Sequence, residues 1–401
     1  MNSVASSPDR RAFVLVIDAC GVGALPDAAV YGDEGTNTLA HLAEALGGLE
    51  LPTLQRLGLG SIIAVRGVPA SSDPAIHGRL HPLGPGKDSI SGHWELMGVV
   101  QERAMPTYPR GFPPEVVLAL AQATGHALIC NRAANGLAAI EEFGAEHLRT
   151  GALILYTSQD SVAQLAAHVD RMSVEELYRA CAAARAAMEG EHAVGRVIAR
   201  PFTGAAGAFT RIDGRRDYAL RPPARSYLQE LEDAGVEVHG VGKIHDLFDG
   251  VGVSASHPGA TNARALDALE ELAGELQRGL VFANLIETDQ LYGHRKDARG
   301  FACALGEIDA RLGAMLERMR EHDLLVVTAD HGVDLAHPGT DHTREYAPLL
   351  ALTGAMLSHR RAGAGLGGFR HDGPLADVGA TVLRWLTGTE AHGLPGEAFV
   401  S

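Results

Sequence analysis

An α/β protein with a doubly wound, mostly parallel core sheet and a smaller inserted α/β domain is what this sequence predicts. Three observations carry that reading. Short, continuous apolar runs recur along the chain, as expected for strands covered on both faces. Segments with helical periodicity separate them, and such alternation builds parallel sheets. Proline clusters bracket a middle stretch of different character, and 401 residues exceed one comfortable core.

The strand-like runs are Phe13–Ile17, Leu153–Tyr156, Val236–Val241, Leu280–Ile286 and Leu324–Thr328. Phe301, Leu305, Ile308, Leu312, Leu316 and Met319 advance in steps of three or four and mark one buried helical stripe. Leu266, Leu269, Leu272 and Leu276 mark a second, and Ala376 to Leu386 forms a third that Thr387-Gly388 stops. Pro106, Pro109, Pro113 and Pro114 open the middle stretch and Arg221-Pro-Pro223 closes it, so both ends read as hinges. The expected division is a core of 1–101 and 224–401 with 102–223 inserted. Gly363 to Gly368 reads as a mobile loop.

Composition narrows the function. The apolar fraction is 46% and the charged fraction 21%, ordinary for a globular protein. With 34 basic and 49 acidic residues the net charge is −15, which argues against nucleic acid or an anionic membrane as partner. Cys20, Cys130, Cys181 and Cys303 form no CxxC pair and read as reduced, mostly buried thiols. Met1 to Arg10 is polar, without the apolar stretch of a signal peptide, and no run of about 18 apolar residues occurs. The expected location is the cytoplasm; no oligomeric state is implied, and a monomer suffices.

Four segments end apolar runs in metal-ligand chemistry: Val14–Asp18, Leu285–His294, Leu325–His331 and Gly339–His342. They supply the carboxylates Asp18, Asp289 and Asp330 and the imidazoles His294, His331 and His342. A carboxylate at the carboxyl end of a buried strand sits where open α/β sheets place their ligands. Mixed Asp and His donors suit Mn²⁺ or Zn²⁺ better than Ca²⁺. Six donors are enough for two ions, and two-metal sites are typical of phosphoryl transfer. An isolated Asp-His dipeptide would more often be structural; the concentration of such residues at strand ends gives this one its weight.

A nucleophile is needed as well. Gly86–Glu95 is flanked by glycine and carries two hydroxyls, Ser89 and Ser91. A serine beside a divalent cation is an effective phosphoryl acceptor. The plain alternative is a capped loop entering a helix, with Ser89 or Ser91 as N-cap.

These blocks carry a resemblance. Asp18, Lys87–Gly98, Tyr156–Val162, Gly195–Phe202, Arg215–Tyr218, Tyr292–Arg295, Ala329–Gly332 and Asp341–Tyr346 resemble, in order and over nearly the whole chain, the phosphopentomutases. That family is the manganese-dependent branch of the alkaline phosphatase superfamily. The resemblance implies an alkaline-phosphatase-like core sheet with an inserted cap. It also implies exchange of phosphate between C1 and C5 of ribose or deoxyribose, through a phosphorylated enzyme and a sugar bisphosphate primer. Asp289, His294 and His342 would hold one Mn²⁺ and Asp18, Asp330 and His331 the other, with Mg²⁺, Co²⁺ or Zn²⁺ as substitutes. Ser89 would carry the phosphate. In the cap, Ser158 and Asp160 would meet sugar hydroxyls, and Arg200 and Arg215 would clamp the second phosphate, since guanidinium matches phosphate bidentately. Lys243, in the core, would add a further cation.

The sequence departs from the family in places. Ser89 stands where Thr is usual and offers the same oxygen. Ala134–Leu137 replaces a Ser-Gly-Thr run, Ile286–Asp289 an Asp-Phe-Asp run, and Ser256–Asn262 a stretch that usually contains Thr-Lys. These changes leave a modified pentose phosphate open as substrate. A two-metal phosphatase on the same scaffold is the second reading, because fold alone does not separate it from a mutase. A silent sugar-phosphate binder would be expected to lose a ligand or the nucleophile, and neither is missing.

Overall fold

A computed structural model of the chain describes residues 9–158, 160–257 and 259–401. Met1–Pro8, Gln159 and Pro258, which belong to stretches noted above, lie outside the described residues. The chain forms two compact units: the residues up to Ala104 together with Pro222–Ser401, and Met105–Arg221.

Strands β1 (Arg11–Ile17) and β2 (Ile76–His81) precede the insertion. The insertion holds β3 (Leu128–Ala133), β4 (Leu153–Thr157), β5 (Val162–His168), β6 (Arg196–Thr203), β7 (Thr210–Arg211) and β8 (Arg216–Ala219). After it come β9 (Val238–Val241), β10 (Ala255–His257), β11 (Gly279–Leu285), β12 (Asp323–Thr328), β13 (Ala347–Thr353) and β14 (Gly373–Pro374).

The sheet of the first unit has the order β10-β9-β11-β1-β12-β13-β2-β14. β10, β9, β11, β1 and β12 run parallel, and only β13 is reversed against its neighbours β12 and β2. β1, β11, β12 and β13 are buried at every residue, which explains their unbroken apolar sequences. The three expected stripes are helices. Ala298–Arg318 buries Phe301, Leu305, Ile308, Leu312 and Leu316; Asn262–Glu275 buries Leu266, Leu269 and Leu272. Asp377–Thr387 ends on Gly388 at φ 73°, a backbone conformation for which glycine is suited.

At the amino end of β1 the Arg11 guanidinium donates 2.8 and 2.6 Å hydrogen bonds to the two carboxylate oxygens of Asp323, with both side chains about 1% exposed. It also reaches the carbonyls of Ala273 and Leu276, so one cation joins β1, β12 and the end of a helix. Gly363–Gly368, expected to be mobile, is pinned at its centre. Leu366 is buried, and its N–H lies 2.8 and 3.0 Å from the Asp73 carboxylate oxygens.

In the second unit β3, β4, β5, β6 and β7 form one sheet, with β8 added against β6. Leu153, Leu155, Val197 and Ala199 pack on one face with helices Pro114–Thr124 and Val174–Ala187. Ile154, Tyr156 and Phe202 pack on the other with Ala139 and Ile140 of helix Gly136–Thr150. No helix among the described residues is long and apolar enough to cross a membrane.

Candidate metal and phosphoryl-transfer site

β11, β1 and β12 are adjacent and parallel, so their carboxyl ends lie side by side. Asp18 follows β1, Asp289 lies four residues beyond β11, and Asp330 two beyond β12. Because β13 is reversed, the segment from β12 to β13 begins and ends at that same edge, and it carries His331 and His342.

Asp18 and Asp330 are tied to their surroundings by hydrogen bonds. Asn284 donates to Asp18 Oδ2 at 3.0 Å, and Thr288 Oγ1 donates to the Asp18 carbonyl at 2.6 Å. Ala19, turned to φ 63°, donates its N–H to Asp330 Oδ1 at 3.1 Å, and so does the N–H of His331. A non-glycine residue held left-handed is a local strain that the neighbouring contacts must sustain. Here it ties the end of β1 to the end of β12.

The imidazoles complete the cluster. His331 Nε2 is 3.4 Å from Asp18 Oδ1 and 3.3 Å from Asp330 Oδ2. His342 Nε2 and His294 Nε2 are 3.3 and 3.4 Å from Asp289 Oδ1. The rings of His331 and His342 stack with centroids 3.9 Å apart. His331 Nδ1 lies 3.1 Å from the Gly332 carbonyl and His294 Nδ1 2.7 Å from that of Thr340. A carbonyl only accepts, so each Nδ1 donates, which turns Nε2 toward the carboxylates. The two expected triads are not cleanly separate. The ligand atoms of Asp18, Asp330 and His331 lie within 4.8 Å of one another, and so do those of Asp289, His331 and His342. His331 therefore stands between both groups.

Electrostatics show what the cluster lacks. Burial, and then the like charge of Asp330, raise the Asp18 pKa from its ordinary value. Burial pushes Asp289 in the same direction, but His342 and His294 outweigh it and hold that carboxyl well below. Burial disfavours a charged His331, yet Asp330 and Asp18 overcome it and raise its pKa well above the usual imidazole value. Three buried carboxylates require positive charge. Asp18 Oδ1, Asp289 Oδ1, Asp330 Oδ2 and His342 Nε2 are buried without a hydrogen-bond partner. Orphaned buried acceptors are costly, and converging ones fit divalent cations.

Ser89 stands beside this cluster, its Oγ 3.1 Å from His331 Nε2. It is the first residue of helix Ser89–Leu96. The N-cap is Asp88 rather than either serine: its Oδ1 accepts from the N–H groups of Ile90 and Ser91 at 3.0 and 3.1 Å. Ser91 is buried and occupied, 2.6 Å from Asp88 Oδ2 and 2.9 Å from Gln101 Oε1. Of the two hydroxyls only Ser89 faces the carboxylate–imidazole cluster. Arg344 fixes the loop before it, donating to the Gly86 carbonyl at 2.7 Å, and Lys87 donates to Asp33 at 3.0 Å.

In the second unit, Arg200 lies on β6 along the Tyr156 face of the sheet and donates to Gln164 Oε1 at 3.0 Å. Burial, and then the like charges of Arg215 and Arg211, lower the Arg200 pKa to about 10. Arg215 makes a bidentate pair with Asp217 at 2.7 and 2.6 Å. The Asp160 N–H donates to Ser158 Oγ at 3.3 Å, and the Asp160 carboxylate lies 4.0 Å from Arg196. Lys243, in the first unit, is half-buried just beyond β9. Three residues of these neighbourhoods were not singled out from sequence. Asn284 had a signal, a lone amide inside an apolar strand. His93 had one as well, four residues after Ser89 on the same helix. Arg211 had none.

Comparisons with known proteins place the chain in a family. The profile of the metalloenzyme superfamily matches residues 10–389. A phosphopentomutase of Caldanaerobacter subterraneus subsp. tengcongensis is 45% identical over 355 residues, 88% of this chain and 90% of the relative. One from Syntrophotalea carbinolica is 48% identical over 350 residues, 87% and 89% of the two chains. One from Anaeromyxobacter sp. (strain K) is 47% identical over 379 residues, 94% and 95%.

Proposed function

Since this chain belongs to the phosphopentomutase family, enzymes of the metalloenzyme superfamily, we propose that it interconverts ribose or deoxyribose 1-phosphate and the corresponding 5-phosphate through a phosphoserine at Ser89. The observation that carries this is the placement of Ser89 Oγ 3.1 Å from His331 Nε2, beside buried carboxylate and imidazole atoms that lack partners.

Asp18, Asp330 and His331 would hold one Mn²⁺ and Asp289, His294 and His342 the other. Bound there, divalent cations supply Lewis-acid stabilisation of phosphoryl oxygens. The phosphoryl group on Ser89 passes to the free hydroxyl of an incoming sugar monophosphate, which gives the bisphosphate. The other phosphate of that bisphosphate then returns to Ser89, and the isomeric monophosphate leaves. A bisphosphate primer is needed wherever the serine starts unphosphorylated. In the inserted unit, Arg200 and Arg215 would recognise the phosphate not being transferred, and Ser158 and Asp160 the sugar; Lys243 would add a cation.

The test is turnover of ribose 1-phosphate with a bisphosphate primer, followed by mass spectrometry of the trapped enzyme. Phosphate is expected on Ser89. Ser89→Ala should abolish transfer and leave the fold intact, and Ser91→Ala should be much milder. Phosphate on Ser91, or full turnover after exhaustive chelation, would overturn the proposal. Release of inorganic phosphate without isomer would select the phosphatase reading.

A further inference from the structure

His93 is fully buried and belongs to neither metal group nor the nucleophile, yet it touches both. Its Nδ1 lies 2.8 Å from the Ser89 carbonyl and 3.2 Å from Asp330 Oδ2. Both neighbours are acceptors, so this nitrogen carries the proton; it donates to the Ser89 carbonyl and stands within ion-pair distance of Asp330 Oδ2. The opposite nitrogen, Nε2, is buried with no partner, and the ring lies against Phe282 with centroids 5.9 Å apart. That polarity is the one expected of an Nδ1–H imidazole. The residue before it reinforces the contact: a Cβ on Gly92 would stand 2.4 Å from the Asp330 carbonyl oxygen, so the helix lies directly on the end of β12.

We propose that His93 is a positioning residue, joining the Ser89 backbone and the Asp330 carboxylate so that nucleophile and metal ligand hold one fixed separation. This rests on the functional reading above. Asp330 Oδ1 is already held by two N–H groups, from Ala19 and His331. Oδ2 has no well-formed hydrogen bond, and His93 is one of the two imidazoles beside it. The other, His331, is itself assigned to the metal. His93 therefore sets the direction in which Oδ2 meets a cation, and it transmits that setting four residues back along the helix to Ser89.

The experiment compares His93→Asn with His93→Gln. An Asn amide nitrogen can occupy the place of Nδ1, whereas Gln places its amide near the position of Nε2. Three quantities are read: the Mn²⁺ dissociation constant of the chelator-stripped protein, kcat against KM for ribose 1-phosphate, and the thermal midpoint. His93→Gln is expected to weaken Mn²⁺ binding by about 10- to 100-fold, the usual effect of removing a group that orients a ligand. It should lower kcat comparably while KM moves less than about threefold, because the substrate is not touched. His93→Asn should restore both to within about threefold, at a thermal midpoint similar to that of the Gln variant.

Equal losses in the two variants, or unchanged Mn²⁺ binding in both, would make His93 a packing residue only. A long-range ¹H–¹⁵N spectrum of the wild-type protein gives a reading that needs no variant to fold: an Nε2–H tautomer at His93 overturns the proposal. The Mn²⁺ measurement does not depend on which ester is turned over. A wild-type protein inactive on pentose phosphates but showing the Asn/Gln pattern would sink the functional reading alone. An active wild type without that pattern would sink the positioning role alone.

Discussion

Replacing Gly92 by alanine should separate stability from catalysis. Gly92 sits inside helix Ser89–Leu96, and a Cβ there would lie 2.4 Å from the Asp330 carbonyl oxygen and 2.8 Å from the Asp330 carbonyl carbon and Cβ. Ordinary carbon–oxygen contact needs about 3.4 Å, so the helix must retreat by roughly 1 Å, carrying Ser89 with it. Overpacking of this kind costs about 1–3 kcal/mol. Alanine's better helix propensity returns about 1 kcal/mol, so the net loss should be about 0–2 kcal/mol. Catalysis is less forgiving, because a misplacement of about 1 Å costs on the order of 100-fold. The assay is denaturant unfolding beside kcat for ribose 1-phosphate isomerisation. A variant slightly destabilised but about 100-fold slower is expected. Activity within about threefold of wild type would show that the separation of Ser89 from β12 does not matter, and would refute the reasoning.

Two further outcomes are expected. Arg200→Ala and Arg215→Ala should each weaken productive use of a bisphosphate by roughly 10- to 150-fold, since a charge-assisted hydrogen bond contributes about 1.5–3 kcal/mol. Hydrolysis of a small aryl phosphate should fall less; equal losses in both assays would make the arginines structural. Arg11→Met leaves the Asp323 carboxylate buried without its cation, which should cost about 3–5 kcal/mol by chemical denaturation. Turnover per folded molecule should remain near wild type, because Arg11 lies at the end of β1 opposite Asp18.

The parallel core was legible because its strands are buried on both faces, and burial writes an unbroken apolar run into the sequence. β13 escaped for a particular reason: Pro348 lies in it, and proline argues against a central strand. The structure accommodates that proline because β13 pairs with β12 only from Leu350 to Thr353, whereas Pro348 lies opposite Arg79 of β2. β2 reads poorly for another reason. His77, Arg79 and His81 alternate with the buried Ile76, Gly78 and Leu80 on a half-covered strand. The site divides the same way. Asp18, Asp289, Asp330 and His331 were visible because each follows an apolar run. The residues alone left Ser89 and Ser91 open and only the resemblance preferred Ser89, whereas the turn of the helix sets Ser89 toward the cluster and Ser91 away from it. Asn284 and His93 left weak signals, and the tie made by the Ala19 N–H left none, since a backbone donor has no side chain to read.

The reversal of β13 has a consequence for how the protein is made. Ligands from β1, β11, the β12 edge and the segment leading to β13 meet at one place, although about 320 residues separate Asp18 from His342. At about 5–20 residues per second, roughly 16–65 s of synthesis pass between the first ligand and the last. Until Asp330 and His331 are made Asp18 has no companions from β12, so a nascent chain would lack the proposed metal site. Under the proposed function, metal capture would therefore be a late event, possible only after both parts of the first unit that flank the insertion have been made. A ribosome-stalled chain ending before Asp323 should take up no tightly held Mn²⁺, whereas one extended well past β13 should.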